Sequence, residues 1–288
     1  GRDVAAALLL KGTLMICEIN QLPKSGFHDC AGVKIRALFK AYGAKFEFCR
    51  FYEQRADSGE TLALLSAYEG AVTVSVKKAY KETERQELAA FLTAIGFSEL
   101  ICKEPILKEM PHEKIYAVSV ENSVKNSAVN PHENPNVNSH ENLDGLSENK
   151  APVGIKTAET QKDSLAAVYK IFQGAQSSEL SLPPFERWYA DASHRLRHRA
   201  AKYYCKKEGA AFVHLDGENA YLAGIAVLPQ FREKGIGKEI LAELSKNGLD
   251  KKLFAFCRKP LLKFYRAAGF SRNGSFCLYQ NNLDLLGE

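Results

Sequence analysis

Between Tyr116 and Tyr169 this 288-residue chain has no aromatic side chain, although aromatics form 10% of the whole. Eight of the positions from Asn122 to Asn149 are Asn, mixed with Ser, Pro, His and Glu. A segment so poor in large apolar groups cannot bury enough surface to offset the entropy of ordering its backbone. Residues 121–163 therefore read as a disordered linker. It joins an N-terminal α/β lobe at 15–120 to a second folded part at 164–288, and the two need not be rigidly oriented. The first lobe is counted from Met15, the first methionine and a plausible start.

The rest of the chain is ordinary for a folded protein, with 45% hydrophobic and 25% charged residues and a mean hydropathy of −0.26. That composition excludes a fibrous chain, a wholly disordered one and a disulfide miniprotein. No run reaches the roughly 18 apolar residues needed to cross a bilayer. The stretch Val4–Leu10 is too short to span, and it lacks the basic lead and cleavage site of a signal peptide. Seven scattered cysteines with no Cys-x-x-Cys spacing fit a reducing cytosol and small core residues. His132-Glu-Asn134 and His140-Glu-Asn142 lie in the polar tract, where nothing would hold a coordination geometry, so no metal is expected.

Charge is unevenly spread. Residues 1–120 carry 16 Lys/Arg against 15 Asp/Glu, whereas 164–288 carry 19 against 12. An anionic partner is expected at the C-terminal part, and a phosphate-bearing molecule would suffice.

Apolar periodicity predicts a helix at 33–42, a strand at 45–53 and a hairpin of Thr61–Tyr68 with Ala71–Val76 turning at Glu69-Gly70. A helix at 84–94 and short strands at 98–102 and 115–120 follow. Downstream the pattern gives helices at 164–173 and 184–207, then strands at 210–215 and 220–228 about Asp216–Asn219. A helix at 235–247, a strand at 252–257, a helix at 259–267 and a strand at 275–280 complete the chain. The fold class is mixed α/β, with a mostly antiparallel sheet and a strand–helix–strand unit at its centre.

The most informative segment runs from Gly224 to Leu241. An apolar strand reaches Pro229, which cannot extend a ladder because it lacks an amide hydrogen. The chain then turns through basic residues and enters a helix at Gly235-Ile236-Gly237. Two positions without Cβ let a bulky anion approach the main chain, and the free amides of a first helical turn attract it. Arg232, Lys234 and Lys238 add positive charge, so a diphosphate is the natural guest. Glu239 stands where a Walker-type loop needs Ser or Thr, and Ile240 where a dinucleotide fingerprint needs its third glycine.

What remains, Arg232-Glu-Lys-Gly-Ile-Gly237 after an apolar strand ending in Val-x-Pro, resembles motif A of the GNAT superfamily of acyl-CoA-dependent N-acyltransferases. Tyr265, inside Lys263–Phe270, matches that family's Phe/Leu-Tyr-x-x-x-Gly-Phe element at about the usual distance. Arg258 departs from the Asn common in relatives. The resemblance covers 164–288. It implies that the strands at 223–228 and 252–257 splay apart and that the pantetheine of acetyl-CoA adds there like a strand, against Ala226 and Val227. It further implies that Arg232, Lys234, Gly235, Ile236, Gly237 and Lys238 hold the diphosphate. Tyr265 is then the candidate acid that protonates the departing thiolate, being un-ionised at neutral pH with a reference pKa of about 10.

The base is not legible. Glu218 and His214 on the neighbouring hairpin are candidates. The basic stretch 193–199, with His194, His198 and then Lys202, Lys206 and Lys207, reads either as a solvated charged helix or as recognition of an anionic acceptor by Arg195, Arg197 or Arg199.

Ala90–Ser98 agrees with Lys263–Ser271 at five of nine positions, a faint internal repeat in which Leu92 replaces Tyr265. A degenerate GNAT-like N-terminal lobe is one reading, and chance likeness between two short helices is the other. The whole suggests a cytosolic acetyl-CoA-dependent N-acetyltransferase acting on an amine, small molecule or peptide, with neither membrane nor metal involved. The alternatives are a non-catalytic CoA sensor or scaffold, and a nucleic-acid module built on a basic helix at 195–207. Absence of an aromatic stacking platform near that helix argues against the last.

Overall fold

The computed structural model describes residues 16–23, 26–77, 81–121, 158–176, 182–217, 219–246 and 251–281. Most of the proposed linker, the early apolar run, Met15 and Glu218 lie outside the described residues.

Eleven strands form one sheet: β1 (Ile16–Glu18), β2 (Cys49–Arg55), β3 (Thr61–Tyr68), β4 (Ala71–Val76), β5 (Glu99–Cys102), β6 (Glu113–Val120), β7 (Ala201–Cys205), β8 (Gly209–Leu215), β9 (Asn219–Val227), β10 (Lys252–Arg258) and β11 (Ser271–Gln280). Among the described residues six helices accompany them: α1 (Cys30–Tyr42), α2 (Glu82–Ile95), α3 (Ala158–Gly174), α4 (Phe185–Arg197), α5 (Ile236–Lys246) and α6 (Leu262–Ala267). The spatial order is β1-β2-β3-β4-β5-β11-β6-β10-β9-β8-β7. All neighbours are antiparallel except β4 with β5 and β9 with β10.

Local chemistry explains the boundaries. Asp29 caps α1 by accepting the Gly32 amide at 2.8 Å. Glu69 and Gly70 turn the β3–β4 hairpin at φ 49° and 84°, the left-handed pair that a two-residue hairpin requires. The basic stretch is not one helix. α4 stops at Arg197, Arg199 takes φ 52°, and 201–205 join the sheet as β7. The helix of Tyr265 is also shorter than 259–267, because Lys259–Leu261 form a 3-10 turn ahead of α6.

Beyond β1, the strand order is a palindrome, and the registers show that it is a pseudo-two-fold axis. β11 sets Tyr279 opposite Leu100 of β5, and β6 sets Val120 opposite Leu253 of β10. Matching Tyr279 to Val120 along the two central strands exchanges the pair Gly274–Ala117 with the pair Phe276–Ile115. It leaves Tyr116–Ser275 as its own mate. The parallel pairs correspond too, with Ala71–Glu99 answering Asn219–Lys252. α2 between β4 and β5 answers α5 between β9 and β10.

Two expectations change. The halves are not separately oriented, because β10 of the second is flanked by β6 of the first, and β5 of the first by β11 of the second. The faint repeat also has another register. Ala90–Ile95 close α2, the counterpart of α5, whereas Tyr265 stands on α6 between β10 and β11. The corresponding connection in the first half, 103–112, carries no helix, so Leu92 is not the counterpart of Tyr265.

Packing puts α1 across one face of the sheet centre, with Cys30, Ala31 and Val33 against Ile115, Ala117, Tyr221, Phe254 and Phe276. The other face of the second half takes α5, whose Ile240, Leu241 and Leu244 are buried among Ala211, Val213, Leu222 and Ala255. Each such side chain contributes about 1.5–3 kcal/mol by leaving water.

Candidate functional site

β9 and β10 pair over only three positions, Asn219–Lys252, Ala220–Leu253 and Tyr221–Phe254. Beyond Tyr221, β9 stays on β8 as far as Val227, while β10 follows β6 to Arg258. A wedge opens between them. A bulge marks its start, since Phe212 faces Gly224 but Val213 faces Leu222, which leaves Ala223 as the extra residue.

Alternation decides which main-chain groups reach the wedge. The Leu228 amide donates to the Glu208 carbonyl at 2.9 Å, so the Ala226–Ala210 pair also bonds within the ladder. The amides and carbonyls of Ile225 and Val227 therefore point the other way, into the wedge. Of the two residues expected there, Val227 is so placed. The main chain of Ala226 faces β8, and its side chain packs with Val168, Ile171 and Ala210.

After β9 the chain makes a 3-10 turn at Pro229–Phe231 and passes Glu233 at φ 64° and Gly235 at φ 83° into α5. The first inward bonds of that helix run from Lys238 and Glu239 to the Gly235 carbonyl, at 2.9 and 3.1 Å. Among the described residues, none of the amides of 233–237 donates to a backbone carbonyl. They form the donor cluster anticipated at Gly235, Ile236 and Gly237. Lys238 is exposed at its rim, and the exposed Lys234 lies over the Phe231 ring at 5.4 Å.

Two residues have structural contacts that were not expected of them. The Arg232 Nε donates to the Val227 carbonyl at 3.2 Å, and an Nη donates to the Ala175 carbonyl at 2.9 Å. Arg232 thus ties the end of β9 to the end of α3. Gly237 lacks a Cβ for a packing reason, because one there would stand 2.9 Å from Phe264 Cε2. Gly235 has open space, and its positive φ is what favours glycine. Gly224, quoted only as the start of the segment, is required by the Phe172 ring, 3.0 Å from where its Cβ would be.

Tyr265 lies between Phe264 and Phe270, with ring centroids at 5.1 Å from each, and its side chain is 5% exposed. Burial pushes its pKa up, and the neighbouring Cys257 and Cys30 thiols add to the shift. Its hydroxyl makes no hydrogen bond among the described residues, which leaves a protonated donor beside the wedge. His214 faces the opposite side of the sheet from α5, next to Phe212 and Tyr221. Burial, then the charges of Arg195 and Lys34, hold it well below its ordinary pKa. Of the basic stretch, Arg195 is buried while Arg197, His198 and Arg199 are exposed, with the exposed Phe46 and Phe48 on the same side, Phe46 against His194. No continuous basic helix presents itself there. Arg258 pairs with Glu113 at 3.0 Å.

The equivalent wedge of the first half is built differently. β4 and β5 also pair over three positions, but α2 opens with Glu82 and Glu84. The Glu84 carboxylate accepts the Lys81 amide at 2.8 Å. That helix start already carries its own anion and would repel a diphosphate.

Residues 197–272 match the family described as acetyltransferase (GNAT) domain. The match spans β7 to the start of β11 and takes in both the wedge and the turn into α5. No curated protein matches the chain. Among solved structures it is similar to a GCN5-related N-acetyltransferase from Sphaerobacter thermophilus, at 12% identity and TM-score 0.46, over 80% of each chain. It is likewise similar to a GCN5-related N-acetyltransferase from Kribbella flavida, at 11% identity and TM-score 0.47, over 88% of this chain and 94% of that one. A tandem GNAT protein from the clavulanic acid biosynthesis pathway aligns at 12% identity and TM-score 0.44, over 93% of this chain and 98% of that one. The family match lies within the second half, and the first half repeats that half's topology.

Proposed function

We propose that the protein is a cytosolic acetyl-CoA-dependent N-acetyltransferase whose chemistry resides in 164–288, the 15–120 lobe binding no CoA. One observation carries the reading: the edge of β9 at Ile225 and Val227, which β10 leaves unpaired, leads directly into amides of 233–237 that donate to no backbone carbonyl. An extended amide-bearing arm fits the first, and a diphosphate fits the second. No group of three or more potential metal ligands occurs among the described residues.

The acetyl thioester supplies the electrophile. The Val227 amide polarises its carbonyl as the oxyanion forms. The neutral acceptor amine attacks the carbonyl carbon, the carbon–sulfur bond breaks, and the thiolate takes a proton by way of Tyr265. The amine proton leaves to solvent or to a base. A non-catalytic CoA-binding role is favoured by the burial of Tyr265, which makes it a weaker acid than a free phenol.

Calorimetry with acetyl-CoA tests the first step, and Gly235→Asp should abolish binding. No binding by the native chain, or equal binding by the variant, refutes it. Tyr265→Phe should then depress acetyl transfer far more than acetyl-CoA affinity. Binding without release of CoA from any amine panel would favour the sensor.

A further inference from the structure

Beside the wedge, where α1 of the first half crosses β8 and β9 of the second, one buried and one half-buried cationic side chain lack full partners. Arg195 is 3% exposed. Its Nε is bonded to Asp191 at 2.9 Å, and its guanidinium is sandwiched near the rings of Tyr42 and Tyr68, at 5.1 and 5.4 Å. Its Nη1 is buried with no hydrogen-bond partner among the described residues. Both tyrosine hydroxyls donate to Asp191 Oδ1, and the bonds of Arg195 to that carboxylate run from Nε, not from Nη1. A buried guanidinium donor left open costs free energy that a native structure rarely bears without a use.

Lys34 is the second. Its ammonium lies 6.0 Å from the centroid of Tyr221, the last residue of β9 before the wedge opens. No carboxylate lies within ion-pairing distance of it among the described residues. Burial lowers its pKa, Glu99 and Cys30 draw it back upward, and Arg195 lowers it further. The same two charges act on His214, which they and burial keep neutral. Arg36, two residues further along α1, is committed to Asp216 at 2.7 Å and contributes nothing to the balance. Donors are therefore in surplus where α1, α4, β8 and β9 meet, on the side of the sheet away from α5.

We infer that Lys34 and Arg195 form the binding site for a carboxylate on the acceptor, so that the acceptor class is an amine bearing a carboxylate, such as an amino acid or a peptide with a free C-terminus. The inference rests on the acetyltransferase reading and deepens it. It selects Arg195 from the three arginines of the basic stretch, because Arg197 and Arg199 are exposed and their charge is spent on water. It also gives the first half a function: Lys34 enters the site of the second half from α1. The acceptor cleft is then built by both halves although only one holds the diphosphate cluster. A planar carboxylate suits the edge of a guanidinium, and an ammonium on the same face of the sheet adds a point charge.

The test uses the full chain and matched acceptors: α-amino acids and dipeptides, each with its carboxamide counterpart. Acids should be acetylated with kcat/KM about 10- to 100-fold above their amides, the range expected for losing a charge-assisted hydrogen bond. The length at which this preference peaks separates a free amino acid from a peptide. Lys34→Met should raise KM for the acids by a similar factor, leave KM for the amides and the affinity for acetyl-CoA unchanged, and leave Tm about equal, since it removes a half-buried charge with no ion-pair partner among the described residues. Arg195→Lys provides a second, charge-conserving variant and should likewise raise KM for the acids alone. Equal use of acids and amides, or equal loss of both in Lys34→Met, overturns the inference. Failure of acetyl-CoA to bind instead overturns the parent reading. In that case calorimetry of the amino acids alone decides the site, binding that Lys34→Met weakens supporting it and no binding refuting it.

Discussion

Gly237→Ala separates two explanations of why this helix begins as it does. An added Cβ would stand 2.9 Å from Phe264 Cε2 and 3.1 Å from Cζ, where ordinary contact begins near 3.4 Å. The ring must therefore withdraw by about half an ångström. It is flanked by Tyr265 at 5.1 Å and belongs to the cluster that seats α5 on the sheet, so α6 has to move with it. Overpacking of this kind costs about 1–3 kcal/mol. Against it stands a helix-propensity gain of at most about 1 kcal/mol for Ala over Gly. The balance is a loss of about 0–2 kcal/mol, or a fall in Tm of up to about 8 °C at this size. Because Tyr265 rides on α6, acetyl transfer should fall several-fold while acetyl-CoA affinity changes less. Phe264→Leu in the same chain should restore both, with a coupling energy of about 1 kcal/mol or more in a double-mutant cycle. If Gly237→Ala keeps full stability but loses acetyl-CoA affinity, and Phe264→Leu does not rescue it, the missing Cβ makes room for a ligand and the packing argument is wrong.

The strand exchange predicts that a fragment of residues 158–288 will not fold alone, since it lacks β6 beside β10; a cooperative thermal transition from that fragment would contradict it. Arg232→Ala removes bonds to the Val227 and Ala175 carbonyls and should cost about 1–3 kcal/mol of stability as well as acetyl-CoA affinity. Lost affinity at unchanged Tm would instead place Arg232 on the phosphates. His214, held neutral below its ordinary pKa of 6.5, makes stability fall as pH drops, because the unfolded chain binds a proton the folded one refuses. The contribution is complete above pH 6.5 and declines below it by up to about 1.4 kcal/mol per pH unit. Denaturant titrations of His214→Gln should show a shallower decline there, and an unchanged one would remove His214 from the account.

Much of this was legible in the residues. The Pro229 stop, the glycine pair and the basic rim fixed the turn. The apolar pattern placed the six helices of the described residues, within a few residues at most ends. The misreadings share a cause: a sequence lists neighbours in the chain, while partners are set by the sheet. Nothing local in 193–207 says that the chain leaves its helix at Arg197 to supply an edge strand. The bonds of Arg232 were hidden in the same way, since the two carbonyls it reaches are main-chain groups brought together by the ends of β9 and α3. The likeness of Ala90–Ser98 to the Tyr265 segment was a helix ending in Gly-Phe before a strand, in both cases for capping. The true counterpart of α2 is α5, which only the strand order reveals. The composite site was hidden for the same reason, since Lys34 and Arg195 are 161 positions apart.

Hydrogen exchange with and without acetyl-CoA tests the central claim most directly. The amides of Ile225 and Val227 and those of 233–237 should slow markedly when acetyl-CoA is added, while 74–76 and the start of α2 stay as they were. Unchanged exchange at 225–237, or protection at the first half's wedge instead, would contradict the account.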